Sequence, residues 1–313
     1  MRFRKNVPLA PFNTFKIGGR AEYFLSVRKP EDLIRAILWA RNRNLPYKIF
    51  AGGSNVLFPD NKIEGLVVRF FGGGIKRIGQ NKFLIDGGAL LEDAVQNSIN
   101  SGWRGLETLS GIPGTVGGAI IGNAGAYGHS ISEIVEKVEI WDGKKRRWLK
   151  NPSCLFSYRE SIFSAKGGSA FGGKKKPYFF LRAVLKFKKG NAKELKKVSK
   201  EIVKLRAKKY DLRICCPGSF FKNVLVKFAP KKFLKRVDRS KIIKGKIPAG
   251  YLLEEVGAKG MGVGKIQVAK HHGNLIMNTG GGTARDVKKL AAILKRRVKS
   301  KFGIELEEEV RYF

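Results

Sequence analysis

The fold is decided by an uncharged, glycine-rich stretch, LSGIPGTVGGAIIGNAGAYG, at residues 109–128. Seven of the 38 glycines of the chain lie in it. Glycine lets backbone amides approach an anion closely, and hydroxyl and amide side chains add donors without charge. The stretch is therefore typical of a loop that holds a pyrophosphate. We expect it also to open a helix whose N-terminus favours the anion.

A second glycine-rich run, Ala51-Gly52-Gly53-Ser54-Asn55, follows a predicted strand at residues 47–50. Neither run is a known nucleotide fingerprint. There is no G-x-G-x-x-G between a strand and a helix, and Gly264-Lys265 is followed by Ile rather than Ser or Thr. The sequence therefore disfavours a conventional Rossmann or P-loop site. The alternative is that these glycines serve tight turns alone.

Composition predicts a globular protein with a pronounced positive charge. The 313 residues suggest about two domains, and 43% hydrophobic residues can form a core. The net charge is +38, of which residues 141–250 hold +27. Such a charge raises the hypothesis of nucleic-acid binding. Because no nucleic-acid-binding motif accompanies it, we favour a lysine-rich solvated surface and expect no specific nucleic acid.

The sequence also predicts a cytoplasmic protein without membrane insertion or a metal. It has no apolar run of about 18 residues, and no apolar segment follows the basic N-terminus. The three cysteines, Cys154, Cys215 and Cys216, do not form a disulfide framework. Adjacent cysteines lack the ligand spacing of a zinc site, so we expect none.

Hydrophobic patterns predict helices and strands that mix without a regular βαβ rhythm, so we expect an α+β fold. A Gly-Lys segment at residues 166–176 is predicted to be a mobile excursion. The predicted helices cover residues 30–44, 91–99, 191–210 and 283–301, and the predicted strands cover residues 47–50, 65–71, 83–85, 135–141, 146–149, 178–188, 266–269, 275–278 and 305–312.

Taken in order, short motifs along nearly the whole chain resemble the UDP-N-acetylenolpyruvoylglucosamine reductase (UDP-N-acetylmuramate dehydrogenase) family, in its shorter type. Each motif alone is weak, but their joint order over about 300 residues is highly specific. They are Asn13 to Gly19, Gly52 to Leu57, Gly105 to Glu107, Ile112 to Ala119, Asn123 to Gly128, Tyr158 to Phe163, Gly218 to Asn223, Ile247 to Gly250, His272 to Asn278 and Leu306 to Val310.

The resemblance implies a vanillyl-alcohol-oxidase-like FAD-binding region of two α+β subdomains, followed by an α+β substrate-binding domain. We place the first subdomain at residues 1–70 with residues 303–313, the second at 71–210, and the substrate domain at 211–302. It further implies a monomeric reductase of peptidoglycan precursor synthesis. In such an enzyme NADPH reduces the bound FAD, and the reduced flavin then reduces a UDP-sugar that carries an enolpyruvyl group.

Family motifs also imply which residues bind the ligands. Gly-rich segments hold FAD, while residues near the serine motif and in the C-terminal part bind the substrate. The alternative interpretation of His272 is an interior histidine whose hydrogen bonds are satisfied within the protein. The implied FAD residues are Gly52, Gly53, Ser54, Asn55, Ile112, Pro113, Gly114, Thr115, Gly118, Asn123, Ala124, Gly125 and Ala126, and the implied substrate residues are Tyr158, Lys222, Asn223 and His272.

The same motifs imply three catalytic residues. Arg159 matches the cation that stabilises the enolate next to the substrate carboxylate. Ser219 matches the proton donor, and because a serine hydroxyl is a weak acid it needs neighbours such as Lys222. Glu309 matches the second electrophilic helper. To donate a hydrogen bond Glu309 must be protonated, which requires burial to raise its pKa.

Three departures from the family pattern concern the segments around these residues. Asn223 is followed by Val224 rather than proline, so we expect a looser loop after Ser219. Lys209-Tyr210-Asp211 stands where Gln-Pro is usual, and residues 166–176 are longer and more basic than expected. None of these changes removes a catalytic group. A flavin oxidoreductase of similar fold with another substrate stays a competing hypothesis.

Overall fold

The computed structural model describes residues 1–164, 178–210 and 214–313. The predicted excursion at residues 166–176 lies outside the described residues. The helices are α1 Pro30–Arg41, α2 Leu91–Asn100, α3 Val116–Ile121, α4 Ala192–Lys209, α5 Lys231–Leu234, α6 Ala249–Glu254 and α7 Ala284–Phe302. The strands are β1 Arg4–Pro8, β2 Arg20–Val27, β3 Tyr47–Phe50, β4 Val56–Leu57, β5 Ile63–Phe70, β6 Ile75–Arg77, β7 Lys82–Asp86, β8 Trp103–Arg104, β9 Gly125–Ala126, β10 His129–Ser130, β11 Val135–Trp141, β12 Arg146–Lys150, β13 Phe179–Lys186, β14 Lys188–Lys189, β15 Val224–Leu225, β16 Lys246–Ile247, β17 Gly262–Val263, β18 Ile266–Val268, β19 Ile276–Asn278 and β20 Arg311–Tyr312.

The chain divides into two compact units, which we call the first and second unit. The first unit comprises residues Met1–Val7, Ala21–Gly52 and Glu64–Arg206. The second unit comprises Pro8–Arg20, Gly53–Ile63 and Ala207–Phe313. The division into three domains made from sequence stays a prediction.

The first unit contains two mixed layers of sheet and helix. One sheet has the strand order β1-β2-β5-β3, and β3 pairs with β5 in parallel. Helix α1 covers it with an apolar face that includes Leu33, Ala36 and Ile37, all at most 1% exposed. The other sheet has the order β12-β11-β13-β7-β6, and its core includes residues of α2 and α3. This second layer supports the glycine-rich stretch.

The second unit packs α6 and α7 with a three-stranded β17-β18-β19 sheet. Helix α7 begins at a capping box, in which the Thr283 hydroxyl accepts from the Asp286 amide and the Asp286 carboxylate accepts from the Thr283 amide. It ends at Gly303, whose φ of 76° is the left-handed conformation that glycine tolerates. The local signals thus fix both ends of the longest helix among the described residues.

Most predicted elements are confirmed, and the mixture of helix and strand confirms the α+β class. One element is wrong. The strand predicted at residues 305–312 is regular only over β20, which pairs in parallel with β4. The preceding residues instead bond to residues 218–223, which we call the serine segment. The Lys222 amide donates to the Glu307 carbonyl, and the Glu309 amide donates to the Phe220 carbonyl. These bonds to a separate segment take the place of regular strand pairing before β20.

None of the described helices is at once long and apolar enough to cross a lipid bilayer.

Candidate active site

In the first unit, Gly52 of the shorter glycine-rich run contacts Gly114 of the glycine-rich stretch at residues 109–128. A Cβ added to Gly52 would lie 3.0 Å from the Cα of Gly114, so the two backbones touch. Across the described parts of the chain, the amides of Gly52, Gly114 and Thr115 donate to no protein acceptor. Ile112 and Pro113 precede this point on a partly exposed turn. The result is a cradle of neutral donors that suits an anion approaching the backbone.

The helix that follows does not offer its N-terminus, and this part of the sequence prediction is wrong. A helix does open within the glycine-rich stretch, as expected: α3 follows its N-cap residue, Thr115. However, its first amides are used internally: Val116 donates to the Ala89 carbonyl, Gly117 to the Gly87 carbonyl and Gly118 to the Thr115 hydroxyl. The first turn is bound to the β7–α2 connection, which leaves the preceding loop as the cradle.

The end of the glycine-rich stretch holds the turn that carries Arg159. The Asn123 side-chain amide donates to the Ser157 carbonyl at 2.8 Å, and Arg159 Nη1 donates to the Gly125 carbonyl at 3.0 Å. Arg159 itself has a φ of 59°, uncommon for a residue with a side chain. Ala124 and Ala126 lie beside these anchors, and Tyr158 has its ring centroid 5.8 Å from the Arg159 guanidinium carbon. The predicted FAD residues 123–126 therefore also position Arg159.

In the second unit, residues 53–55 form a tight loop built on the Asn13–Gly19 motif. Gly53 has a φ of 69°, and a Cβ there would lie 2.2 Å from the Phe12 carbonyl oxygen, so only glycine fits. The Thr14 amide donates to the Gly53 carbonyl and the Thr14 hydroxyl to that of Ser54, at 3.1 and 3.3 Å.

Asn55 links this loop to the segment that carries Glu309. Its side-chain amide donates to the Glu309 carbonyl at 3.0 Å, and its own carbonyl accepts from the Arg311 amide. The Asn55 Oδ1 atom is buried and accepts no hydrogen bond from the described residues. A buried acceptor of this kind suits a ligand that can donate to it.

Backbone contacts join the segment that carries Ser219 to the segments that carry Leu275 and Glu309. Ser219 bridges to Leu275, while the carbonyl of Phe220 accepts from the Glu309 amide at 2.8 Å. On the other side, the Asn274 side chain bonds both backbone groups of Phe221, each at 2.9 Å. The serine segment is thus held by chain segments that lie about 50 and 90 residues away in sequence.

The hydroxyl partner of Ser219 is Tyr210, which sequence reasoning treated only as a departure. Ser219 Oγ lies 2.8 Å from Tyr210 Oη. Lys222, the helper expected from sequence, places its ammonium 2.8 Å from Glu307 Oε1. Lys222 as a helper of Ser219 or as a substrate ligand stays a prediction. The sequence signal that could have pointed to Tyr210 was its place in the Lys209-Tyr210-Asp211 segment, where the family usually has Gln-Pro.

The expected looseness after Ser219 is wrong. Val224 begins β15, which pairs with β16 through Val224 and Ile247. The Asn223 side-chain oxygen accepts from the Ala249 amide at 3.1 Å. A valine can enter this pairing, so the segment is held without a proline.

His272 is a largely buried, neutral histidine. Burial, with the nearby Lys209 charge, lowers its pKa from 6.5 to about 4, although Glu254 opposes the shift. Its ring packs against Gly250, where an added Cβ would lie 2.8 Å from His272 Cε1. His272 Nε2 is buried and has no hydrogen-bond partner among the described residues. The unpartnered Nε2 does not fit the satisfied interior histidine considered from sequence, and the substrate contact stays a prediction.

Cys154 and Cys216 show no activation. Burial raises the pKa of Cys154 to about 11, and it raises that of Cys216 as well. Such thiols are poor nucleophiles. Within the described residues, no three His, Cys, Asp or Glu side chains cluster as a metal site would require.

Comparison with protein families identifies the class first. A model described as "FAD binding domain" matches residues 21–146, which contain the cradle at Gly52 and Gly114. A second model, "UDP-N-acetylenolpyruvoylglucosamine reductase, C-terminal domain", matches residues 211–313, which contain Ser219 and Glu309. The FAD-binding region implied by the resemblance is thereby confirmed, and the protein is a flavin oxidoreductase.

Full-length relatives then specify the family. A UDP-N-acetylenolpyruvoylglucosamine reductase from Solibacter usitatus is 41% identical over 98% of this chain and 95% of its own. One from Caldanaerobacter subterraneus subsp. tengcongensis is 33% identical over 98% and 92%. The crystal structure of the Thermus caldophilus enzyme aligns with a TM-score of 0.75 and 29% identity, covering 100% of this chain and 99% of that one. The chain belongs to the UDP-N-acetylenolpyruvoylglucosamine reductase family.

Proposed function

We propose that the protein uses NADPH to reduce the enolpyruvyl group of UDP-N-acetylglucosamine enolpyruvate to UDP-N-acetylmuramate, in peptidoglycan precursor synthesis. The observation that carries this proposal is the backbone hydrogen bond from the Glu309 amide to the carbonyl of Phe220, the residue after Ser219. It joins the two segments of the second unit that carry the proposed groups, in a chain that resembles this family from end to end. We further propose that the protein is a monomer. We place it in the cytoplasm, because free Cys154, Cys215 and Cys216 suit a reducing compartment.

Two features fit the FAD that this function requires. Within the described residues, the amides of Gly52, Gly114 and Thr115 in the first unit donate to no protein acceptor. In the second unit, the buried Asn55 side-chain oxygen accepts no hydrogen bond from those residues. We assign the remaining FAD contacts to Gly53, Ser54, Ile112, Pro113, Gly118 and residues 123–126. When bound and reduced, the flavin supplies the hydride.

The chain's own residues handle the charge and the proton. Arg159 pairs with the substrate carboxylate and stabilises the enolate, which a permanently charged, planar guanidinium does well. Its turn is fixed by Asn123 and Gly125, so little reorganisation is needed as charge develops. Glu309, in its protonated form, is the second donor. Ser219 transfers the proton to the carbon next to the carboxylate.

Tyr158, Lys222, Asn223 and His272 are proposed to bind the UDP-sugar. The neutral imidazole of His272 can bind through Nε2 without bringing a second charge to the substrate. Asn223 and Lys222 both follow the proton donor closely along the chain and already bond to Ala249 and Glu307. They therefore present preformed positions to an anionic ligand.

The test separates the two half-reactions. The purified protein should show flavin absorption that bleaches with NADPH and returns with the enolpyruvyl UDP-sugar. The Ser219→Ala variant should keep the NADPH-dependent bleaching and lose about a hundredfold or more in the rate of return. Colourless folded protein that takes up no FAD would sink the proposal. Return of the absorption with another acceptor, but not with the UDP-sugar, would favour a different substrate.

A further inference from the structure

The hydrogen bond between Tyr210 and Ser219 raises a question about proton donation that the proposed function leaves open. Their oxygens are 2.8 Å apart, and both residues are partly buried. Either hydroxyl can be the donor in such a pair. If Ser219 donated to Tyr210, its single hydrogen would be engaged away from the substrate. If Tyr210 donates, the serine hydrogen is free to leave.

Both members of the pair are anchored to the same stretch of the second unit. Ser219 bridges to Leu275, and the next amide, that of Phe220, donates to the Asn274 carbonyl at 3.0 Å. On the other side, the Lys209 carbonyl lies 3.1 Å from His271 Nε2. The residues before Tyr210 and around Ser219 are therefore fixed against residues 271–275. This common support favours the short distance between the two hydroxyl oxygens.

A serine that gives up its proton becomes an alkoxide, and a donor already aimed at its oxygen stabilises that charge. Hydrogen bonds to an ionised acceptor are roughly twice as strong as those between neutral groups. The benefit of a donating Tyr210 is thus larger in the transition state than in the resting protein, which is the condition for accelerating the step.

We propose that Tyr210 is a positioning residue for Ser219: its phenol donates to Ser219 Oγ, orients the serine hydrogen toward the substrate and stabilises the oxygen as the proton leaves. The O–H bond of Ser219 breaks, a C–H bond forms on the substrate, and Ser219 later regains a proton from water. This inference rests on the proposed function of Ser219. It adds a residue whose role the sequence motifs do not assign.

Tyr210→Phe tests the role, because it keeps the ring and removes the donor. We expect NADPH-dependent bleaching to stay within about twofold and the substrate-dependent return to slow by about 30-fold. Tyr210→Gln offers an amide donor in place of the phenol and should recover most of the lost rate. Tyr251→Phe is the matched control: it removes a phenol that accepts from the Asp238 amide, and both half-reactions should be unchanged.

Further variants separate this inference from the proposed function. If Tyr210 acts through Ser219, the double variant Ser219→Ala/Tyr210→Phe should be no slower than Ser219→Ala alone. A normal rate in Ser219→Ala would overturn the proposed donor itself. A slow Ser219→Ala with a normal Tyr210→Phe would overturn only the role of Tyr210. Equal slowing of both half-reactions in Tyr210→Phe would also overturn it, since that pattern signals general disruption.

A readout independent of turnover comes from crystal structures of the oxidised proteins. The parent should keep the 2.8 Å separation of the two oxygens, and Tyr210→Phe should show Ser219 in another rotamer with an unchanged backbone. If Tyr210→Phe does not fold, Tyr210→Gln carries the test. A Gln variant with normal bleaching and a return slowed by about 30-fold would then contradict positioning by a hydrogen bond.

Discussion

The glycine-rich stretch and the serine segment are both tight loops, yet they are held in different ways. In the first unit, residues 109–128 are held by bonds to nearby turns, such as those from Val116 and Gly117 to residues 87–89. In the second unit, the serine segment is held by Asn274 and by residues 307–309. The conformation of the glycine-rich stretch depends mainly on the residues it contains, whereas that of the serine segment depends on the residues that pack around it.

This difference predicts that the serine segment is the more sensitive to a distant substitution. Asn274 is 3% exposed, and its side chain bonds both the amide and the carbonyl of Phe221. Asn274→Ala leaves two buried backbone groups without partners, which should cost about 3 kcal/mol in the free energy of unfolding. Denaturant titration measures this change. Return of flavin absorption with substrate should slow in the same variant, because Ser219 loses its support.

The control for Asn274 is an asparagine whose bond is exposed. Asn97 donates to the Asp93 carbonyl on the surface of α2, so Asn97→Ala should change the unfolding free energy by less than about 0.5 kcal/mol. Equal changes in the two variants would show that burial of the Asn274 bonds does not matter.

The same difference explains what could be predicted from sequence. The helix that opens within the glycine-rich stretch and the ends of α7 carry local signals and were predicted correctly, whereas the binding of FAD by Gly52 and Gly114 stays a prediction. The capture of the α3 amides by Gly87 and Ala89 was missed because those acceptors are carbonyls, which every residue has. Asn274 and Tyr210 were missed as supports because their partners lie on other segments. Only the fold brings such pairs into contact.

A smaller effect is expected where the glycine-rich runs touch. Gly52→Ala would place a Cβ 3.0 Å from Gly114 Cα, and a backbone neighbour cannot turn aside as a side chain can. We expect FAD to bind about tenfold more weakly while the fold is retained, because the cradle widens slightly. Flavin fluorescence titration measures the dissociation constant.

Gly79→Ala is the matched control for Gly52→Ala. Its Cβ would lie 3.9 Å from Lys82 Cβ, an ordinary contact, so FAD affinity should not change. Unchanged affinity in Gly52→Ala as well would refute the assignment of the cradle to FAD.

The smallest effect concerns pH and His272, which lies next to Asn274 in the support of the serine segment. The unfolded chain binds a proton at this histidine near pH 6.5, whereas the folded chain resists it until about pH 4. Between these values the unfolded state holds more protons, so the free energy of unfolding falls as the pH is lowered and levels off below about pH 4. Because the side chain keeps some solvent contact, we expect a loss of about 1–2 kcal/mol.

The groups that face His272 define the controls for this prediction. Lys209 and His271 disfavour its protonation, and Glu254 favours it. Burial alone would raise the pKa of Glu254, but its bonds to Lys259 and the Gly273 amide lower it, so its own loss of stability falls below pH 4.5. His272→Gln should therefore flatten the dependence between pH 6.5 and about 4, whereas His271→Gln should keep most of it, because burial, the largest cause of the shift, remains. A slope that survives in His272→Gln would assign the pH dependence to other groups.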